Sequence, residues 1–396
     1  MTPTLRTSGI LPVQRIRQLV DAGIIASDAD HPILADQYQP NSLDLRLGAI
    51  AHRVRCSFLP ENERVSDKLN KLTQHSFSIE NGAILEPNCT YIIPLLERVH
   101  LPLPGPQPFS GANGTKGIEV PFFTNEMLTA RTNPKSSTGR LDIFTRVITD
   151  FSHRFEEIGG GYSGMLYLEV VPKSFPVRVR TGQRLNQLRI RHGNQMLSDH
   201  DIMRHHQLDP ILFDEEGPLP VDRLKLGNGL FMSVSMAAEE GAIIGYKARK
   251  NRDIVDLDKI GHYQVQDFWD TLYARKDDFM ILEPEAFYIF ASRERVRIPG
   301  SLAAEMVPYD TGSGELRTHY AGFFDSGFGG DAGDGGAKAV LEVRIHDVPF
   351  LVEDGQTVFR MVFEPNTELP EALYGQHIRS NYQGQELKLS KHFADG

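Results

Sequence analysis

A chain of 396 residues is long for a single core and sets an expectation of two domains of roughly 150 to 200 residues. With 40% hydrophobic and 24% charged residues its composition is that of an ordinary soluble protein, and a formal net charge of -10 argues against a general nucleic-acid binder while leaving room for a local basic pocket that takes a small phosphorylated ligand. Cys56 and Cys89 are the only cysteines and form no CxxC pair, so neither a disulfide framework nor a structural zinc site is expected, and both read as free thiols of a reducing cytoplasm. No apolar run of membrane-spanning length occurs, so neither a secretion signal nor a membrane span is expected.

In chain order, Val13, Ile16, Leu19 and Val20 recur at helical spacing, with Pro12 suited to a first turn and Gly23 near the end, and predict a short amphipathic helix. Gln39 to Gly48 alternates Leu43, Leu45 and Leu47 with Asp44 and Arg46, the pattern of a half-buried strand ending in a glycine turn. From there to about residue 191 short strand-like runs such as Ala83-Ile84-Leu85, Tyr91-Ile92-Ile93 and Val177-Arg178-Val179 are punctuated by Pro and Gly, which points to an all-β sandwich or barrel. The stretch PLPGPQPFSGANGTKG from Pro102 reads as a loop or an exposed insertion. Residues 192–224 are polar and proline-bearing and read as a linker with a short helix near Asp199 to His206.

Chemistry concentrates between Asn133 and Glu169. Lys135, Ser136, Ser137, Gly139 and Arg140 crowd a cation, two hydroxyls, a glycine and a guanidinium together, a composition suited to gripping phosphate. Downstream, Glu169 lies in the mostly uncharged run Met165 to Val171, where a buried strand has no use for an acid.

An internal repeat organises the whole chain. Ile84-Leu85-Glu86-Pro87 is echoed by Ile281-Leu282-Glu283-Pro284, and Glu97-Arg98-Val99 by Glu294-Arg295-Val296. Ser136 and Arg140 stand four apart, as do Ser313 and Arg317; Tyr167-Leu168-Glu169-Val170 matches Val340-Leu341-Glu342-Val343, and Thr181-Gly182-Gln183 matches Asp354-Gly355-Gln356. The expected organisation is a first β domain over residues 1–191, the 192–224 linker, a second related β domain over 225–363, and a polar, glycine-bearing tail over 364–396 that is either a solvated terminus or a lid over a bound ligand.

Four segments, SLDLRLG from Ser42, PKSSTGR from Pro134, YSGMLYLE from Tyr162 and NYQGQ from Asn381, give the chain a resemblance to the dCTP deaminase branch of the dUTPase-like trimeric β proteins, in its double-length bacterial form. The resemblance implies two tandem dUTPase-like distorted β barrels of jelly-roll type with a few short helices, a homotrimer with sites between subunits, and hydrolysis of dCTP to dUTP and ammonia. Position by position, it places Ser136, Ser137 and Arg140 in the phosphate- and water-positioning motif and Glu169 as the catalytic glutamate. Lys135, His153, Arg154, Asp325, Tyr374 and Gln385 become nucleotide contacts, and Ser313, Arg317 and Glu342 the counterparts in the second repeat.

Attack of water on C4 of cytosine needs a base for the water proton and an acid for N3 and the leaving amine, and one carboxylate can serve in turn. Zinc deaminases use a metal-bound hydroxide and an H-x-E plus P-C-x-x-C signature that this chain lacks. No cofactor is therefore expected for deamination, with Mg²⁺ arriving on the triphosphate.

Departures from the family pattern qualify the assignment. Glu156-Glu157-Ile158-Gly159 replaces a compact Asp-Pro-Gly turn in the first repeat, whereas Phe324-Asp325-Ser326-Gly327 keeps it better in the second. The second repeat has Glu315 in its phosphate segment and Phe323 where an arginine would fall, and Asn381 stands in place of a lysine in the tail.

Plainer readings stand beside these: Lys135 to Arg140 as a polar turn, Glu169 and Glu342 as salt-bridged structural acids, His153 as a hydrogen-bonded bystander, Asp325 as a turn residue, and Trp269 as core. The leading expectation is a metal-independent dCTP deaminase with its better catalytic set in the first repeat. A dUTP diphosphatase or a bifunctional enzyme is the alternative within the fold, and a non-catalytic nucleotide-binding protein the alternative outside enzymes.

Overall fold

The computed structural model describes residues 8–104, 127–236, 239–276, 279–308, 316–318, 322–331, 333, 335–345, 347–375 and 382–394. Ser313, Asn381 and most of the Pro102 stretch lie outside the described residues, as does the side chain of Arg317.

The fold is mostly β, and the strand order repeats. In the first half, Leu43–Arg46, Arg184–His192, Leu128–Pro134 and Glu157–Ile158 pair in that order; in the second, Leu230–Ser233, Thr357–Pro365, Leu302–Pro308 and Gly322–Phe324 do the same. A second sheet runs Thr73–Ser78, Ile50–Val54, Thr90–His100, Ser163–Pro172 and Ile143–Ile148, matched by Trp269–Tyr273, Ile243–Ala248, Phe287–Val296, Ala337–Ile345 and Leu316–Thr318.

Local chemistry repeats with the topology. Tyr91 Oη accepts from the Glu86 N–H at 3.1 Å and Tyr288 Oη from the Glu283 N–H at 2.9 Å. Glu97 accepts from the Arg46 N–H at 2.7 Å, and Glu294 from the Ser233 N–H at 2.9 Å. The repeated Glu-Pro and Glu-Arg-Val segments thus fasten the same turn and the same strand in both halves.

The amphipathic helix forms over Val13–Asp21, burying Val13, Ile16 and Leu19. The strand Leu43–Arg46 is buried on both faces, not one. Its leucines enter the core, while Arg46 is held by Glu97 at 2.7 Å and Asp44 by Lys135 at 2.5 Å, so the polar face is covered by ion pairs where the alternation predicted solvent. The span 192–224 carries a helix, Asp199–Leu208, started by Ser198, whose Oγ accepts from the Asp201 N–H. It also carries a strand, Leu212–Asp214, that joins the second half's sheet beside Phe287–Val296.

The two halves are joined through their interiors. The first core includes Phe268, Trp269, Phe287 and Val340 from the second half, and Leu389 and Phe393 from the tail. Trp269 meets Phe175 edge-on at 5.5 Å and Phe393 at 5.8 Å. Polar ties cross the same boundary. Arg344 bonds Asp142, Arg189 meets Asp325 at 2.7 Å and Arg191 meets Glu364 at 2.5 Å, each with little or no exposure.

Candidate active site

At this boundary a cavity of about 240 Å³ draws on both repeats and the tail. From the first half come Lys135, Ser136, Ser137 and Arg140; from the second, Phe323, Asp325 and Glu342; from the tail, Tyr374, Tyr382, Gln385 and Lys391. The strand Leu128–Pro134 ends at Pro134, and Ser136–Gly139 makes one helical turn, which aims the hydroxyls and Arg140 at the cavity.

Glu342 faces this turn from the strand Ala337–Ile345. A Cβ on Gly139 would lie 2.5 Å from Glu342 Oε2, so only glycine leaves room for the carboxylate there. Burial pushes the Glu342 carboxyl up to about 8, with the Arg140 charge pulling it down and Asp142 pushing it further up.

Arg140 is almost fully buried and fixed by the tail. It donates to Gln385 Oε1 at 2.8 Å and to the Lys388 carbonyl at 2.9 Å, and stacks 3.9 Å from the Tyr382 ring centre. Ser137 Oγ and Tyr382 Oη share a hydrogen bond of 2.6 Å. The described part of the tail therefore closes over the Lys135 to Arg140 turn. Asp325 accepts from Arg189 Nη2, whose guanidinium lies 4.0 Å over the Phe323 ring. Tyr374 packs against Phe328, with ring centres 5.7 Å apart.

Glu169 lies elsewhere. It is fully buried on the strand Ser163–Pro172, opposite Arg146 in register, and Arg146 Nη2 binds its Oε1 at 2.6 Å. That is the geometry of a cross-strand ion pair. His153 and Arg154 line a separate cavity of about 900 Å³ with Arg131 and Arg191, and Arg154 there meets Glu157 at 3.3 Å. Arg317 is placed by backbone pairing with Arg344.

Of the residues singled out in the sequence, Lys135, Ser136, Ser137, Arg140, Asp325, Glu342, Tyr374 and Gln385 come together, and Glu169, His153 and Arg154 do not join them. Asp44, Tyr382 and Lys391 join the site without having been assigned to it. The first two stand in the SLDLRLG and NYQGQ segments, whereas Lys391 carries no local signal.

Comparison with known proteins identifies the family. The family model "2'-deoxycytidine 5'-triphosphate deaminase (DCD) N-terminal domain" matches residues 7–109 and 121–194, and the corresponding C-terminal domain matches 198–393. The crystal structure of 2'-deoxycytidine 5'-triphosphate deaminase from Agrobacterium tumefaciens is 42% identical, with a TM-score of 0.79, over 91% of this chain and 100% of that one. The chain belongs to the dCTP deaminase family, in its double-length form. No curated protein matches it. In this family member the turn and the carboxylate facing it come from opposite repeats of one polypeptide. Among the described residues no helix is long and apolar enough to cross a membrane.

Proposed function

We propose that the chain hydrolyses the 4-amino group of dCTP, giving dUTP and ammonia, with Glu342 as the general acid and base. The observation that supports this reading is the packing of the Glu342 carboxylate against Gly139, beside Ser136, Ser137 and Arg140. A carboxyl raised to about 8 is largely protonated at neutral pH, so it can first donate to N3 and make C4 a better electrophile. The resulting carboxylate takes a proton from the attacking water as its oxygen bonds to C4. The same proton passes to the amino group, which leaves as ammonia, and the C4 hydroxyl returns its proton to Glu342 as the carbonyl forms. One water is consumed and Glu342 ends protonated as it began.

Arg140 would steady the carboxylate stage and the water, and Asp325 would accept from the deoxyribose hydroxyl. Phosphates would lie at Lys135, Ser136 and Ser137. With only Cys56 and Cys89 and no P-C-x-x-C segment, the reading assigns water activation to Glu342 and not to zinc. Mg²⁺ would arrive bound to the triphosphate oxygens, shielding their charge, and Asp44, in this cavity but committed to Lys135, fits a substrate-borne ion better than a protein-held one. Assembly as a homotrimer and residence in the cytoplasm belong to the same reading.

The test incubates dCTP with the parent chain, Glu342→Gln and Glu169→Gln, following ammonia and nucleotide products. The parent and Glu169→Gln should release ammonia and dUTP, while Glu342→Gln should bind dCTP without turning it over. Loss of turnover in Glu169→Gln with retention in Glu342→Gln would move the chemistry to the first repeat. Formation of dUMP and pyrophosphate would make the enzyme bifunctional, and no turnover in the parent would leave a nucleotide-binding protein.

A further inference from the structure

Beside the main cavity lies another of about 280 Å³, and the two share Asp44, Lys135, Ser137 and Lys391 along their seam. Arg184 and His392 line the second cavity near the same place. The charges there do not balance. Among the described residues Asp44 is the one carboxylate lining the second cavity, and it is already committed to Lys135 at 2.5 Å, with Arg184 Nη1 4.0 Å away. Arg184 is in turn held by Asp36 at 2.7 Å, outside both cavities. Lys391 brings a further ammonium with no hydrogen-bond partner among the described residues.

The position of Lys391 is fixed from its backbone outward. Its N–H donates to Tyr382 Oη at 3.3 Å and its carbonyl accepts from the Gly261 N–H at 2.9 Å. On either side, Ser390 Oγ donates to the Ser137 carbonyl at 2.9 Å and His392 is buried against the Leu257 carbonyl at 3.3 Å. The amine is therefore delivered to the seam by a segment already bonded to the Lys135 to Arg140 turn. Burial, then the neighbouring Lys135, and also Arg184 work against its charge and hold its pKa below the usual lysine value, while Asp44 favours the charge. Two ammonium groups held around one carboxylate are an arrangement that a polyanion stabilises.

We propose that Lys391 is a phosphate-binding residue of this site, reaching with Lys135 for the outer phosphates of the nucleotide along the seam between the two cavities. The proposal rests on the reading of the site as a dCTP site, but its ligand chemistry is that of a polyphosphate. A charge-assisted contact of this kind contributes about tenfold to hundredfold in affinity.

The experiment titrates the full chain, Lys391→Gln and Lys391→Arg with inorganic tripolyphosphate, dCTP and 2'-deoxycytidine in a calorimeter. Expected is a loss of about tenfold to hundredfold for tripolyphosphate and dCTP in Lys391→Gln, substantial recovery in Lys391→Arg, and no change for the nucleoside. Lys391→Met, which keeps the apolar stem, replaces the Gln variant if that one melts early. Tripolyphosphate affinity unchanged by loss of the amine, or an equal loss for 2'-deoxycytidine, overturns the proposal. Ammonia release is scored separately: a parent chain that binds tripolyphosphate through Lys391 yet releases no ammonia refutes the deaminase reading and leaves this one standing.

Discussion

The Glu342 carboxylate occupies the space that a side chain on Gly139 would need, its Oε2 lying 2.5 Å from where a Cβ would stand. The contact joins the second repeat's acid to the first repeat's turn without any hydrogen bond between the two residues, so its specification is steric. Gly139→Ala should push the carboxylate off the turn and lower kcat/KM for dCTP by about a hundredfold or more, the scale on which small displacements act in catalysis. Circular dichroism and the melting curve should remain close to those of the parent. Unchanged activity would mean that Glu342 works from another position.

The raised Glu342 carboxyl sets a pH signature. If the protonated form starts the reaction, kcat/KM for dCTP should fall as pH rises through about 8. The profile is measured with ammonia release at saturating Mg²⁺. A rate that instead rises through that range would make the carboxylate the starting form.

A second, half-buried acid acts on stability. Glu156, from the first half, is pushed up to about 8 by burial, then by the nearby Glu305 of the second half, while Arg131 and Arg146 pull it down. Its folded value lies above the unfolded one, so the folded chain binds the extra proton between about 4.5 and 8. This contribution to stability is largest below that window and declines as pH rises through it, by at most about 1.4 kcal/mol per pH unit. Glu156→Gln should flatten the decline and raise the melting temperature at pH 8 more than at pH 5, as read by calorimetry at the two values. Equal shifts at both would remove the titration argument.

Arg189 holds Asp325 from across the boundary, with 2.7 Å between them and the guanidinium over Phe323. Because the pair is buried, removing one partner should cost about 3–5 kcal/mol, so a folded Arg189 variant should melt early. In such a variant, discrimination between dCTP and its 3'-deoxy analogue should shrink, since a released Asp325 no longer meets the sugar hydroxyl at a fixed angle. Discrimination preserved in Arg189→Met would show that Asp325 needs no holder.

Much of this was legible beforehand. The echoes of Glu-Pro, Glu-Arg-Val and Gly-Gln mark places where side chains bond the backbone, and such devices survive duplication because both copies need them. The serine turn was legible from composition. What the order of residues could not decide was which glutamate faces it. Glu169 and Glu342 occupy matching strands, and a one-dimensional reading pairs the turn with the acid nearer in sequence. Pairing within the first half sets Arg146 opposite Glu169, and only the crossing of the halves brings Glu342 against Gly139. Lys391 was invisible for a related reason: nothing beside it in the chain is unusual, and its meaning comes from Asp44 and Lys135, hundreds of positions upstream.

Phe393, seated among Phe268, Trp269 and Tyr263, has a consequence for how the protein is made. A growing chain can pair its early strands, but the first core lacks one of its aromatic rings until residue 393 has left the ribosome. The stretch from Tyr382 to Lys391 that covers Arg140 is translated just before it. A ribosome that stalls in the second repeat thus releases a product with an incomplete interior and an uncovered Arg140 turn, a ready substrate for quality-control proteases.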